Sequence, residues 1–86
     1  MSLHIKVLGG GCANCQNLEK NVRSAIVLLR VDAEIEHVSD PREYARYGLL
    51  ATPGLVVNEK LVSGGKVPSP SQIVTLLTNA LMEEES

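Results

Sequence analysis

The pattern of apolar residues predicts a strand, a long helix and a second strand in the first part of the chain. Leu3, Ile5 and Val7 alternate with polar residues over positions 3–8, which is typical of a strand. From residue 14 onward, apolar residues recur at helical spacing. They are Leu18, Val22, Ala25, Ile26 and Leu29. A less regular alternation over residues 33–38 predicts another strand with one face partly exposed.

A short helix and a hairpin are predicted next. Asp40 followed by Pro41 is typical of a helix N-cap and first helical position, and Gly48 suits the C-terminal end of the same helix. Residues 55–57 and 61–62 are apolar runs separated by three polar residues. This pattern predicts two short strands joined in a hairpin.

The last predicted element is a C-terminal helix. Ser69 and Gln72 have the spacing of a capping box. The apolar stripe that follows consists of Ile73, Leu76, Leu77, Ala80 and Leu81. We expect the acidic tail at residues 83–86 to fray. The element order is therefore βαβαββα, an α/β fold in which the first βαβ unit gives parallel strands and the hairpin adds antiparallel ones. The prediction is a four-stranded mixed sheet flanked by helices.

Length and charge limit the possible functions. The chain has 86 residues, which predicts one domain spanning residues 1–86. Its formal charge is −2, and its basic residues are scattered, so we expect no nucleic-acid partner. No apolar run approaches the roughly 20 residues of a membrane span, and the first residues lack a secretion signal. We therefore expect a cytoplasmic monomer that does not bind a membrane.

The two cysteines are the candidate chemistry. Cys12 and Cys15 are too few and too close in sequence to cross-link distant parts of a small domain. They lie where the first strand gives way to the first helix, and the amides of a helix N-terminus favour a thiolate there. Residues three apart on a helical turn have Cα atoms about 5–6 Å apart, a separation that a disulfide accepts. The pair is therefore predicted to cycle between dithiol and disulfide, with Cys12 as the activated sulfur.

Two motifs resemble those of the thioredoxin and glutaredoxin superfamily. Gly-Cys-Ala-Asn-Cys at residues 11–15 is similar to the motif of its minimal branch, the small redox-active disulfide proteins, and Thr52-Pro53-Gly54 precedes the third strand. The resemblance covers essentially the whole chain and implies a thioredoxin-like fold. It also implies that the Thr52–Pro53 peptide bond is cis, beside the active disulfide, and that Thr52 pairs with an extended substrate segment.

The resemblance implies a thiol–disulfide oxidoreductase without any cofactor other than the Cys12–Cys15 disulfide. Cys12 is expected to be the nucleophile and Cys15 the resolving thiol. Ala13 and Asn14 are expected to contact substrate, and residues 49–51 to add an apolar surface for it. The implied partners are protein disulfide substrates and a thiol or flavoprotein reductase. Residues 62–65 resemble a glutathione-holding stretch of glutaredoxins, although a Gly-Gly after a hairpin is usually a turn.

The motif departs from a standard thioredoxin active site, because no tryptophan precedes Cys12 and no Gly-Pro separates the cysteines. The sequence therefore leaves the reduction potential open.

Three alternative functions also remain open on the sequence alone. Heavy-metal transport domains also place a Cys-x-x-Cys after their first strand, and two thiolates suit a soft monovalent copper ion. Those domains end in a strand, whereas this chain is predicted to end in a helix. A redox sensor that does not turn over is the second alternative, and a glutathione-dependent enzyme is the third. His4 and His37 are expected to be solvated or hydrogen-bonded histidines.

Overall fold

The structure is a computed structural model that describes residues 3–11 and 13–85. The elements occur in the predicted order, βαβαββα. They are β1 (Leu3–Leu8), α1 (Ala13–Leu29), β2 (Ala33–Val38), α2 (Pro41–Arg46), β3 (Gly54–Val57), β4 (Lys60–Gly64) and α3 (Pro70–Glu85).

The four strands form one mixed sheet in the order β2-β1-β3-β4. β1 is parallel to β2, with Ile5 opposite Ile35, because α1 carries the chain across the sheet between them. β3 is antiparallel to both β1 and β4. The predicted four-stranded mixed sheet is confirmed, and β1 occupies a central position in it, with residues 9–12 between its carboxyl end and the start of α1.

The main core lies on one face of the sheet, under α1 and α3. Strand alternation points Leu3, Ile5 and Val7 to this face, and all three are buried. The rest of the buried cluster comes from the two helices and β3, as Leu18, Val22, Ala25, Leu55, Val57, Ile73 and Leu77. The apolar stripes predicted for both helices therefore contact the sheet.

On the opposite face, a polar cluster attaches the end of α2 to the sheet. Lys6 Nζ donates to Tyr47 Oη at 2.7 Å, and Tyr47 Oη donates to Glu59 Oε2 at 2.6 Å. The hydrogen bond from Tyr47, reinforced by Lys6, lowers the pKa of Glu59. The hydrogen bond to Tyr47 is also the largest cause of a raised pKa for Lys6. Tyr47 therefore attaches the C-terminal end of α2 to the sheet.

Both ends of α2 have the capping residues that the sequence predicts. Asp40 is the N-cap, with its Oδ1 accepting from the Arg42 N–H at 3.0 Å, and Pro41 opens the helix. At the other end Gly48 adopts φ +78°, a conformation that costs glycine little. The Gly48 N–H donates to Ala45 O, and the next N–H donates to Tyr44 O. This pair of bonds is a Schellman motif, which turns the chain toward β3.

The hairpin differs from the prediction in where its turn lies. The expected three-residue loop is a two-residue turn, because Asn58 and Glu59 both have positive φ, 51° and 69°. That conformation matches the twist of the flanking strands, so β4 begins at Lys60. The Asn58 side chain also accepts from the His4 N–H at 2.9 Å, which fixes the turn to β1.

α3 begins with the capping chemistry that the sequence predicts. The capping box is present, since Gln72 Oε1 accepts from the Ser69 N–H and Ser69 Oγ accepts from the Gln72 N–H. The described backbone is helical to Glu85, and the expected fraying of the acidic tail stays a prediction. Lys60 Nζ lies 3.2 Å from Glu83 Oε1, and this ion pair lies near the end of the helix. Within residues 3–11 and 13–85, none of the helices combines the length and apolar character that a bilayer crossing requires.

Candidate redox site

The described part of the Cys-x-x-Cys motif lies on the first turn of α1. The helix begins at Ala13, and Cys15 is its third residue. Ala13 and Asn14 are exposed, whereas the Cys15 side chain is only 1% exposed. Cys12 immediately precedes the helix in sequence and lies outside the described residues. The motif therefore combines two exposed residues with one inward-facing sulfur.

Gly9, at the end of β1, forms a close contact with the sulfur of Cys15. A Cβ atom on Gly9 would lie 2.2 Å from Cys15 Sγ and 3.2 Å from Cys15 Cβ. The same Cβ position is 4.0 Å from the Cα of Pro53. Only a residue without a side chain allows the end of β1, the start of α1 and the segment before β3 to approach this closely. These three segments converge around the sulfur.

The segment before β3 provides the other side of the site. The Thr52–Pro53 peptide bond is cis, the isomer that the resemblance implies. Pro53 is buried and Thr52 is exposed. The Gly65 N–H donates to Pro53 O at 2.8 Å, so the residue that follows β4 holds this segment. Leu50 lies just upstream and is fully exposed, at 100% of its possible surface.

His37 contributes to the site in a way that sequence reasoning did not find. Its Nε2 lies 2.9 Å from the carbonyl oxygen of Gly9, so the imidazole is hydrogen-bonded. The sequence predicted a solvated or hydrogen-bonded histidine but could not identify its partner. The two residues are 28 positions apart, and only the parallel register of β1 and β2 brings them together.

The described residues do not form a site of metal-ligand type. Within residues 3–11 and 13–85, no group of three His, Cys, Asp or Glu side chains is arranged to hold a metal ion. What these residues do form is a buried sulfur on the first turn of a helix, bounded by a glycine backbone and a cis-proline segment. Exposed residues lie on either side of it.

Comparisons with known proteins agree with this fold. Residues 3–78 match the protein family described as "Thioredoxin domain". A thioredoxin of Methanothermobacter thermautotrophicus is 42% identical over 76 residues, which cover 88% of this chain and 99% of that protein. A thioredoxin of Methanocaldococcus jannaschii is 38% identical over 69 residues, covering 80% and 79%.

A solved structure gives the same fold. Thioredoxin 1 from Thermosipho africanus superimposes with a TM-score of 0.61 over 96% of this chain and 99% of that one, at 15% sequence identity. Together, the fold and the two archaeal relatives define a thioredoxin-like disulfide oxidoreductase. The chain belongs to the thioredoxin domain family. These relatives give no support to the soft-metal or redox-sensor alternatives.

Proposed function

We propose that the protein reduces or exchanges disulfides in other proteins through Cys12 and Cys15. In the first step, the Cys12 thiolate attacks a substrate disulfide. A mixed disulfide forms, and one substrate sulfur leaves as a thiolate. Cys15 then loses its proton and attacks the Cys12 sulfur. The Cys12–Cys15 disulfide forms, the second substrate thiolate leaves, and two electrons have passed to the substrate.

The position of Cys15 is the observation that carries this proposal. Its side chain is buried on the first turn of α1, which suits a thiol that reacts only with a sulfur delivered next to it. Cys12 precedes the helix, where the amides of a helix N-terminus favour the thiolate over the thiol. The proposed order of attack, Cys12 first and Cys15 second, rests on the burial of Cys15 and on the position of Cys12 in the sequence just before the helix.

Replacing each cysteine by serine separates the two roles. The Cys15→Ser variant is expected to form the mixed disulfide and to stop there, because no thiol remains to resolve it. The Cys12→Ser variant is expected to lose turnover without accumulating a mixed disulfide. The measurement is reduction of a protein disulfide such as that of insulin, with mass spectrometry of the quenched, non-reduced mixture. Equal residual turnover in both variants would contradict the assigned roles.

We propose further that substrate proteins bind across the residues on both sides of the sulfur. Ala13 and Asn14 lie on the helix side, and Thr52 and Pro53 lie on the other side. Thr52 is exposed, and we propose that its backbone pairs with an extended substrate segment, which would add as a short strand. Leu50 is the candidate apolar contact, because its side chain is fully exposed two residues upstream.

The Leu50→Asp variant tests this surface. We expect its kcat/KM for a protein disulfide to fall by about 10- to 150-fold, because burying a leucine contributes about 1.5–3 kcal/mol and a charge forfeits that gain. Activity on a small-molecule disulfide should be unchanged. Leu28→Asp is the matched control, since Leu28 is 67% exposed and lies about 20 Å from Cys15 along α1. Equal effects of the two variants would rule out a specific contact at Leu50.

The remaining parts of the proposal concern the cellular setting. We propose that the Cys12–Cys15 disulfide is the protein's only redox group and that a thiol or flavoprotein reductase regenerates the dithiol. A reducing compartment suits this cycle, so we propose that the protein is cytoplasmic. We also propose that it is a monomer. Glutathione is the second candidate electron donor. Recycling by glutathione alone, without a reductase, would favour it.

A further inference from the structure

Both backbone polar groups of Gly9 are bonded to β2. The Gly9 N–H donates to Val38 O at 2.9 Å, which continues the parallel ladder by one residue. β2 ends at Val38, where the chain turns toward α2. The Gly9 carbonyl instead accepts from His37 Nε2 at 2.9 Å. Because a carbonyl oxygen only accepts, Nε2 carries the proton in this bond.

This bond lies at the start of the glycine loop that leads to Cys12. Gly10 and Gly11 follow, and both are exposed. Neither would meet another atom within 4 Å if it carried a Cβ, and the Gly11 carbonyl accepts from Gln16 Nε2 at 3.3 Å. Glycines also have the widest choice of backbone conformation. The bond to His37 therefore holds the Gly9 carbonyl at the start of this loop, next to the Cys15 sulfur.

The position of Gly9 sets the space available to the Cys15 sulfur. Its backbone is in contact with Sγ, and the same backbone borders Pro53. If the Gly9 peptide rotated, Sγ would gain room to leave its present position. Reactions between positioned groups are sensitive to such changes, and a misplacement of about 1 Å can cost about 100-fold in rate.

We propose that His37 is a positioning residue for the resolving step. Its imidazole N–H holds the Gly9 carbonyl, and the Gly9 backbone in turn holds Cys15 Sγ in its place on the first turn of α1. In that step the Cys15 thiol proton leaves to solvent, the Cys12–Cys15 bond forms, and the bond from Cys12 to the substrate sulfur breaks. His37 does not touch the reacting atoms. This inference rests on the proposed function.

Two variants of His37 separate the N–H donor from the bulk of the side chain. His37→Phe keeps a ring and removes the donor, whereas His37→Gln keeps an N–H donor on a side chain of similar length. The reduced protein is mixed with a disulfide substrate, and samples are quenched at successive times. The time course gives the rate at which the mixed disulfide forms and the rate at which it is resolved. We expect His37→Phe to resolve it about tenfold more slowly and to form it at the wild-type rate. His37→Gln should restore most of the resolution rate.

The Cys15→Ser variant makes the possible failures distinguishable. If it accumulates no mixed disulfide, the proposed function fails. If it does, but His37→Phe resolves as fast as the wild type, the inference about His37 is overturned. The inference is equally overturned if formation and resolution slow together, or if the glutamine variant is as slow as the phenylalanine variant. A loss of packing alone would not produce the difference between those two variants.

Discussion

The Gly9→Ala variant is expected to lose most of its disulfide reductase activity and about 1–3 kcal/mol of its free energy of unfolding. The new Cβ would lie 2.2 Å from Cys15 Sγ, and the two atoms cannot both keep their positions. The sulfur is buried on α1 and Gly9 is bonded to β2 on both polar atoms. Neither side can yield without moving an element of the core.

Gly10→Ala is the matched control for this prediction. The two glycines are adjacent, but a Cβ on Gly10 has no atom within 4 Å, and Gly10 is not among the glycines with positive φ. We expect its activity and stability to stay near those of the wild type. The measurements are insulin reduction and urea unfolding of both variants. Similar activity and stability in the two variants would show that Gly9 does not contact the sulfur as described.

Local sequence signals predicted those parts of the fold that depend on neighbouring residues. Asp40 before Pro41 and the Ser69–Gln72 pair fix helix starts through bonds within one turn. The apolar stripes of α1 and α3 depend only on helical spacing. The short turn at Asn58 was not predicted, because three polar residues in sequence do not reveal which of them adopt positive φ.

The candidate site was only partly predictable for a related physical reason. The spacing of Cys12 and Cys15 and the Thr52-Pro53 pair are visible in sequence, and the family resemblance connects them. The contact of Gly9 with the sulfur is not visible, since three consecutive glycines look like a turn. The His37 bond depends on strand register across 28 positions. Contacts between a side chain and a distant backbone leave no periodic pattern.

The second large effect is expected for the Leu18→Ala variant, which loses core packing beneath the site and therefore part of its free energy of unfolding. Leu18 is fully buried and lies one turn after Cys15 on the face of α1 that contacts the sheet. Truncation of a buried leucine to alanine costs about 2–5 kcal/mol, because apolar burial is lost and a cavity remains. In a domain of this size, each kcal/mol lowers Tm by about 4–8 °C. A protein of typical stability, about 5–15 kcal/mol, would lose a large share of it.

Leu28→Ala is the control, because the same substitution on the same helix removes a side chain that is 67% exposed. Exposed substitutions of this kind change stability by about 0.5 kcal/mol or less, and leucine and alanine both favour helix. Urea unfolding followed by circular dichroism measures both free energies. A difference below about 1 kcal/mol between the two variants would contradict the assignment of Leu18 to the core. Cys15 lies one turn before Leu18 on the same buried face of α1. The orientation of the resolving sulfur therefore depends on this packing as well as on Gly9.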